Sequence, residues 1–381
     1  MDRADAWRDA GLYDPQDPGA AERLALLEYL TERGATMEQM VEAHRMGTLP
    51  GVAGSLVTQG RTAMVTVADI AARSGLPSSR VMRTLLAAGI PARSGTEVPA
   101  DLASVMAAFE QGAALLGEEA TLAFTRVLGA AANNVAEAAV ALFFTELGPG
   151  TVREGPDELA RARLAEAVTA AFTSVPDVLA VLVLDAFERA QRRAEAARSW
   201  LGSSPPADDQ FESPSEVVAL GFVDLVGSTA WAQTLSLRDQ SLALSRFESA
   251  AWTSAVLAGG RVIKMIGDEV FFAAPTAEAA CRISLEVCRA ADGDDILPPA
   301  RGAVGIGLAT PREGDYFGPL VNLLSRLVKV GAPGEVVVTE AAATDLPAET
   351  WDLRPIEPAA LRGIREPVRM FTVQFGRKSP V

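Results

Sequence analysis

The sequence predicts two unlike regions, an all-α N-terminal region over residues 1–200 and an α+β domain of ferredoxin-like type over 217–376. Three observations carry this. The N-terminal region holds long Ala- and Leu-rich runs at helical spacing, with no strand alternation. The stretch LGSSPPADDQFESPSE (201–216), rich in Ser, Pro and Asp, reads as a linker. Beyond it, short Gly-bounded apolar runs alternate with helical segments, with one hairpin among them. That pattern argues for helices on a mixed sheet rather than an all-parallel doubly wound fold. Length agrees: 381 residues exceed one ordinary core, and 49% hydrophobic residues suffice for two.

In chain order, AERLALLEYLTERG places Leu24, Leu27 and Leu30 along one helix face and stops at Gly34. TVADIAARSGLPSSRVMRTLLAAG resembles a helix-turn-helix over 65–88, with its turn at Ser74-Gly75-Leu76 and a second helix after Pro77-Ser78. EEATLAFTRVLGAAANNVAEAAVALFFTEL is helix-permissive. DVLAVLVLDAFERAQRRAEAARSWLG begins apolar and ends charged, as a helix leaving a core does. Past the linker, VVALGFVDLV (217–226) is a buried strand, and STAWAQTLSLRDQSLALSRFESAAWTSAVLAGG is one long helical stretch. GRVIKMIGDEVFFAAP is a hairpin, TAEAACRISLEVCRAAD a helix and ARGAVGIGLAT a strand. NLLSRLVKVGAPG is a helix with a Gly/Pro stop, GEVVVTEAA a strand entering a helix, and VRMFTVQF a closing strand. Residues 377–381 form a tail.

Charge and cysteine usage exclude several classes. Residues 1–200 carry 26 acids against 18 arginines, and 201–381 carry 23 acids against 16 bases, so neither half is a nucleic-acid binder by bulk charge. Cys281 and Cys288 lie seven apart in one helical segment, roughly 10 Å along the axis and beyond disulfide reach. They read as reduced core residues of a cytoplasmic protein. The acidic start MDRADAWRDAG is no signal peptide. The apolar run VLAVLVL (178–184) is too short to span a bilayer, so a soluble protein with no membrane span is expected.

Chemistry concentrates beyond the linker. Asp224 ends the first strand in FVDLVGST, where Gly227, Ser228 and Thr229 offer backbone N–H groups at a helix start, a natural phosphate cradle. Asp268 sits at the hairpin turn, four residues from Lys264, inside the apolar run RVIKMIGDEVFF. A charge buried there needs a partner. If Asp224 and Asp268 converge, their repulsion raises one pKa unless hard divalent cations, Mg²⁺ or Mn²⁺, bind between them. Two carboxylates on two such ions form the two-metal arrangement for in-line phosphoryl displacement. Asn322 and Arg326 in NLLSR are i and i+4, placing an amide and a guanidinium on one helix face. Asp315 lies on the loop just before, in REGDYFG.

FVDLVGST, IKMIGDEV, GDYFGPLVN with LLSR, and LRGIREPVRMFTV together resemble the class III nucleotide cyclase catalytic domain, in order and spacing, over about residues 217–375. The resemblance implies that Asp224 and Asp268 bind two metal ions per active site, with the Leu225 carbonyl as a further ligand. Lys264 and Asp315 match the purine-reading pair in the combination that goes with adenine, since Lys donates to N1 and Asp accepts from the N6 amino group. Asn322 would orient the ribose and Arg326 would meet the α-phosphate. Ser228 stands where the family often has phenylalanine. The implied reaction makes 3′,5′-cyclic AMP and pyrophosphate from ATP in a homodimer. There Asp224 and Asp268 of one chain act with Lys264, Asp315, Asn322 and Arg326 of the other.

The layout of the whole chain is similar to soluble actinobacterial adenylate cyclases with a helical, autoinhibitory, pH-responsive regulatory domain. That likeness implies control by residues 1–200, with pH or a lipid or other small-molecule effector as the signal and the apolar runs AVALFF and VLAVLVL as a lining. A histidine switch would have only His44 to use. Two other readings stand. The window 61–93 holds five arginines and one acid, so the chain could be a nucleotide-sensing transcription regulator. It could also be a cyclase for another nucleotide.

Overall fold

The computed structural model describes residues 3–59, 63–146, 158–200, 215–359 and 367–376. The chain divides into two compact units, Met1–Ala186 and Phe187–Val381. Most of the expected linker, 201–214, and the tail 377–381 lie outside the described residues.

The first unit runs α1 (Arg3–Asp9), α2 (Ala20–Glu32), α3 (Met37–Arg45), α4 (Val52–Thr58), β1 (Met64–Thr66), α5 (Val67–Ser74), α6 (Ser78–Ala87), β2 (Glu97–Pro99), α7 (Leu102–Leu116), α8 (Glu118–Glu146) and α9 (Glu158–Phe172). Helix α10 (Val175–Trp200) runs across the division between the units. Two cores form here. Leu26, Leu27 and Leu30 of α2 pack with Met40, Leu49, Ala53 and Ala162, whereas Leu24 is only partly buried. Val67, Ile70, Val81, Leu85, Val98 and Met106 make the second. Helices α5 and α6 are the expected helix-turn-helix pair. Thr66 and Asp69 close a capping box at its start, and Gly75, at φ 69°, supplies the left-handed turn.

An all-α N-terminal region is corrected at one point. β1 pairs antiparallel with β2, Val65 opposite Val98, and brackets the helix pair. Three-residue strands more than thirty positions apart are too short to register as alternation in sequence.

One helical stretch, Glu158–Glu195, is long and apolar enough to cross a membrane by length and composition alone. It breaks at Thr173 and Ser174 between α9 and α10, and its apolar run is confined between Asp177 and Asp185.

The second unit is an α+β sheet with the strand order β4-β5-β3-β6-β8-β10-β9. Its elements are β3 (Glu216–Leu225), α11 (Ser228–Ala232), α12 (Leu237–Leu257), β4 (Arg261–Ile266), β5 (Glu269–Ala274), α13 (Ala277–Asp292), β6 (Ala300–Arg312), β7 (Asp315–Phe317), α14 (Pro319–Leu327), β8 (Val336–Thr339), α15 (Glu340–Thr344), β9 (Trp351–Ala359) and β10 (Val368–Phe375). Among the described residues only β6 and β8 pair in parallel; β7 folds back on β6. Alternation along β3 feeds two cores. Ala219, Val223 and Leu225 pack with Phe247 and Ala251 of α12 and with α13. Leu220 and Phe222 pack with Leu324 and Leu327 of α14. Burial on both faces explains why the strand reads as a continuous apolar run. At Gly221 a Cβ would lie 2.2 Å from the Phe272 ring, so that crossing requires glycine. The single long helix expected after β3 is two, because Ser236 starts α12 afresh by accepting from the Asp239 N–H.

Candidate active site

Asp224 is the penultimate residue of β3, buried, with Glu269 of β5 on one side and Arg301 of β6 on the other. Arg301 donates to Asp224 Oδ2 from Nη2 at 3.0 Å and from Nε at 3.3 Å, and to the Lys329 carbonyl from Nη1 at 3.1 Å. Asp268 lies in the turn between β4 and β5, where Gly267 takes φ 65°. Its carbonyl accepts from Leu225 N–H at 3.2 Å, so the two aspartates share one end of the sheet. Among the described residues, the Asp268 carboxylate makes no hydrogen bond or ion pair. Glu269 completes an acidic group there. Burial pushes its carboxyl up to about 7, helped by the charges of Asp224 and Asp268 and opposed by Lys329 and Arg301.

Gly227, with φ 72°, caps α11, and Ser228 and Thr229 open it. Trp231 anchors this short helix by donating from Nε1 to the Ile296 carbonyl at 2.8 Å.

Lys264, on β4, does not pair with Asp268. Its Nζ lies 2.5 Å from Asp315 Oδ2. Asp315 opens β7 at the mouth of a two-residue turn, Glu313-Gly314, whose φ values are 54° and 83°. Its other oxygen, Oδ1, accepts from Tyr316 N–H at 2.7 Å. Asn322 and Arg326 sit one turn apart on α14, both exposed, and Arg326 forms no ion pair among the described residues. The six expected residues thus fall into three pairs, and no hydrogen bond or ion pair among the described residues joins one pair to another.

No three His, Cys, Asp or Glu side chains among the described residues form a metal cluster. Two carboxylates and a backbone carbonyl still suit Mg²⁺ or Mn²⁺, which take one or two protein carboxylates and complete their shell with water and substrate phosphates. Sequence reasoning missed Arg301 and Glu269. Glu269 follows Asp268 directly, but Arg301 reaches Asp224 only through the register of β3 on β6, which no local pattern encodes.

No family model matches the chain. Among curated relatives, the uncharacterized protein Rv2212 of Mycobacterium tuberculosis is 31% identical over 375 residues, 96% of this chain and 93% of that one. The pH-sensitive adenylate cyclase MT1302 of Mycobacterium tuberculosis is 27% identical over 383 residues, 98% of this chain and 93% of its own length. An adenylate cyclase of Glutamicibacter nicotianae is 36% identical over 146 residues, 38% of this chain and 36% of that protein. The chain belongs to the adenylate cyclase family of enzymes.

Proposed function

We propose that the chain converts ATP to 3′,5′-cyclic AMP and pyrophosphate at two equivalent sites, each shared between the two chains of a homodimer. The observation that carries this is the Lys264–Asp315 pair at 2.5 Å. It presents a donor beside an acceptor, the complement of adenine N1 and N6, and leaves Asp224 and Asp268 free of any lysine. Asp224 and Asp268, with the Leu225 carbonyl, would hold two Mg²⁺ or Mn²⁺ ions. Metal held by these residues would lower the pKa of the ribose 3′-hydroxyl and spread phosphate charge. Lys264 and Asp315 of the other chain fix the base, and Asn322 turns the ribose so that O3′ faces the α-phosphorus. The O3′–P bond forms as the bond to the oxygen bridging the α- and β-phosphates breaks, and the hydroxyl proton leaves to solvent. Arg326 meets charge growing on the α-phosphate, a contribution worth roughly 10²–10³ in rate. Backbone N–H groups of Gly227, Ser228 and Thr229 face the departing phosphates.

The N-terminal unit is the control element in this reading. The full-length likeness to a pH-sensitive adenylate cyclase supports it. His44 Nδ1 lies 3.1 Å from Arg23 Nη1. Val140 and Leu142 on α8, and Val178, Val181, Leu182 and Leu184 on α10, are exposed and apolar, a composition that suits a lipid-like effector. Nucleic acid is disfavoured as a partner, because the arginines of α6 are committed within the unit. Arg80 pairs with Glu110 at 2.7 Å and Glu118 at 3.4 Å, and Arg83 pairs with Glu118. A cytoplasmic location fits Cys281 and Cys288, both buried free thiols whose pKa burial raises.

Product analysis tests the proposal. Purified full-length chain given ATP or GTP with Mg²⁺ or Mn²⁺ should release cyclic AMP and pyrophosphate from ATP. Asp224→Asn or Asp268→Asn should lose at least about a hundredfold in rate. Cyclic GMP as the main product, or release of ADP without a cyclic product, overturns it.

A further inference from the structure

We infer that Tyr316 is a positioning residue for base recognition, and that it acts by hanging Asp315 from Glu216, the first residue of the strand that enters from the linker. The inference rests on the reading of Lys264 and Asp315 as the base-reading pair. Tyr316 is buried, and its hydroxyl donates to Glu216 Oε1 at 2.6 Å. Its backbone N–H donates to Asp315 Oδ1 at 2.7 Å, while Asp315 Oδ2 takes Lys264. One residue therefore fixes Asp315 from the main chain and is itself fixed through its ring.

The surroundings reinforce that hold. Arg261, three residues before Lys264, lies over the Tyr316 ring at 5.3 Å and donates to the Gly314 carbonyl at 3.1 Å. The hairpin carrying Asp315 is thus pinned on β4 and on β3. Ser215 adds a contact to Thr310 at 3.2 Å, beside the same hairpin. Burial first, then the Glu216 hydrogen bond and charge, raise the Tyr316 pKa, which keeps the hydroxyl a donor.

Without the hydroxyl bond, β7 keeps its three register pairs to β6, so the hairpin still forms. What is lost is the tie that sets Asp315 laterally against Lys264. The register pairs, Arg261 and the Lys264–Asp315 contact remain on the hairpin, but none of them ties Tyr316 to β3. The effect belongs in binding and base preference rather than in the phosphoryl step, because Tyr316 hydrogen-bonds to Asp315 and Glu216 and not to Asp224, Asp268, Asn322 or Arg326.

Full-length chain carrying Tyr316→Phe, Glu216→Ala, Glu216→Gln or both Tyr316→Phe and Glu216→Ala should be assayed with ATP and GTP, with folding checked by thermal melt. Tyr316→Phe and Glu216→Ala should each raise KM for ATP about three- to tenfold and narrow the ATP-over-GTP preference, with kcat within about twofold, as expected for one buried hydrogen bond. Glu216→Gln keeps an acceptor and should stay close to wild type. The double variant should be no worse than either single one, because both remove the same bond. Asp315→Ala separates the two levels of argument. If Asp315→Ala loses the ATP preference while Tyr316→Phe and Glu216→Ala keep wild-type KM and preference, the positioning role is overturned. If Asp315→Ala itself keeps the preference, the base-reading assignment beneath it falls.

Discussion

At the scale of single residues, the charge balance around Asp224 decides how the proposed metal end behaves before any substrate arrives. Its side chain is 12% exposed and that of Arg301 is 20% exposed, so their pairing is largely screened from water. Removing one partner of such a pair strands the other, at a cost of about 1–3 kcal/mol for a partly exposed group. Arg301→Ala should therefore lower the melting temperature of the full-length chain in the presence of a chelator. Adding Mg²⁺ or Mn²⁺ supplies the lost positive charge and should stabilise the variant more than the wild type, narrowing the gap between them. Equal stabilisation of both proteins by metal would show that Asp224 does not hold the ion. Glu269 adds to the same balance. With its carboxyl near 7, it shifts between neutral and charged around physiological pH and changes the local field by one unit.

At the scale of elements, one contact between helices is built from charge on an apolar footing. Tyr29 of α2 and Arg33, its C-cap, both donate to Glu166 of α9, Arg33 from Nε at 2.5 Å, and the Arg33 guanidinium lies over the Tyr29 ring at 3.6 Å. The Tyr29 hydrogen bond, and after it the Arg33 bond and charge, hold the Glu166 carboxyl below its usual range against the opposing effect of burial. A depressed carboxylate contributes stability that is present above its unfolded pKa, roughly 4.3, and is lost as pH falls through the folded one. Glu166→Gln should cost about 1 kcal/mol at pH 7, and thermal melts should show the difference from wild type shrinking as pH falls below about 4. A gap that does not change with pH would mean the contact works through packing alone. The sheet end was readable because Gly-bounded apolar runs and the GDEV turn are local signals. β9 was not: WDLRPIEPA carries Asp352, Arg354 and Pro355, which an edge strand tolerates but which break the expected pattern. In the sequence, Lys264 and Asp315 are joined as a pair only through the family resemblance, whereas the Arg301 and Tyr316 contacts depend on register and on a short hairpin folded back on β6.

At the scale of the whole molecule, the same strands carry residues that the proposed dimer assigns to opposite sites. The β4–β5 hairpin holds Lys264, bonded to Asp315, and Asp268, beside the end of β3. Strand β3 holds Glu216 at its start, tied through Tyr316 to Asp315, and Asp224 near its end. A two-fold dimer carrying all six residues then has two equivalent sites, each using one chain's aspartates with the partner's base-reading pair. Lys264→Ala and Asp268→Ala should each be inactive when expressed alone. Co-expressed in equal amounts under separate tags, they should recover roughly a quarter of wild-type activity, because about half of the dimers are mixed and each mixed dimer keeps one intact site. A site contained within a single chain gives no recovery, even when both tags co-purify. That outcome would refute the shared site, and it would place both halves of the Lys264–Asp268 hairpin around one and the same nucleotide.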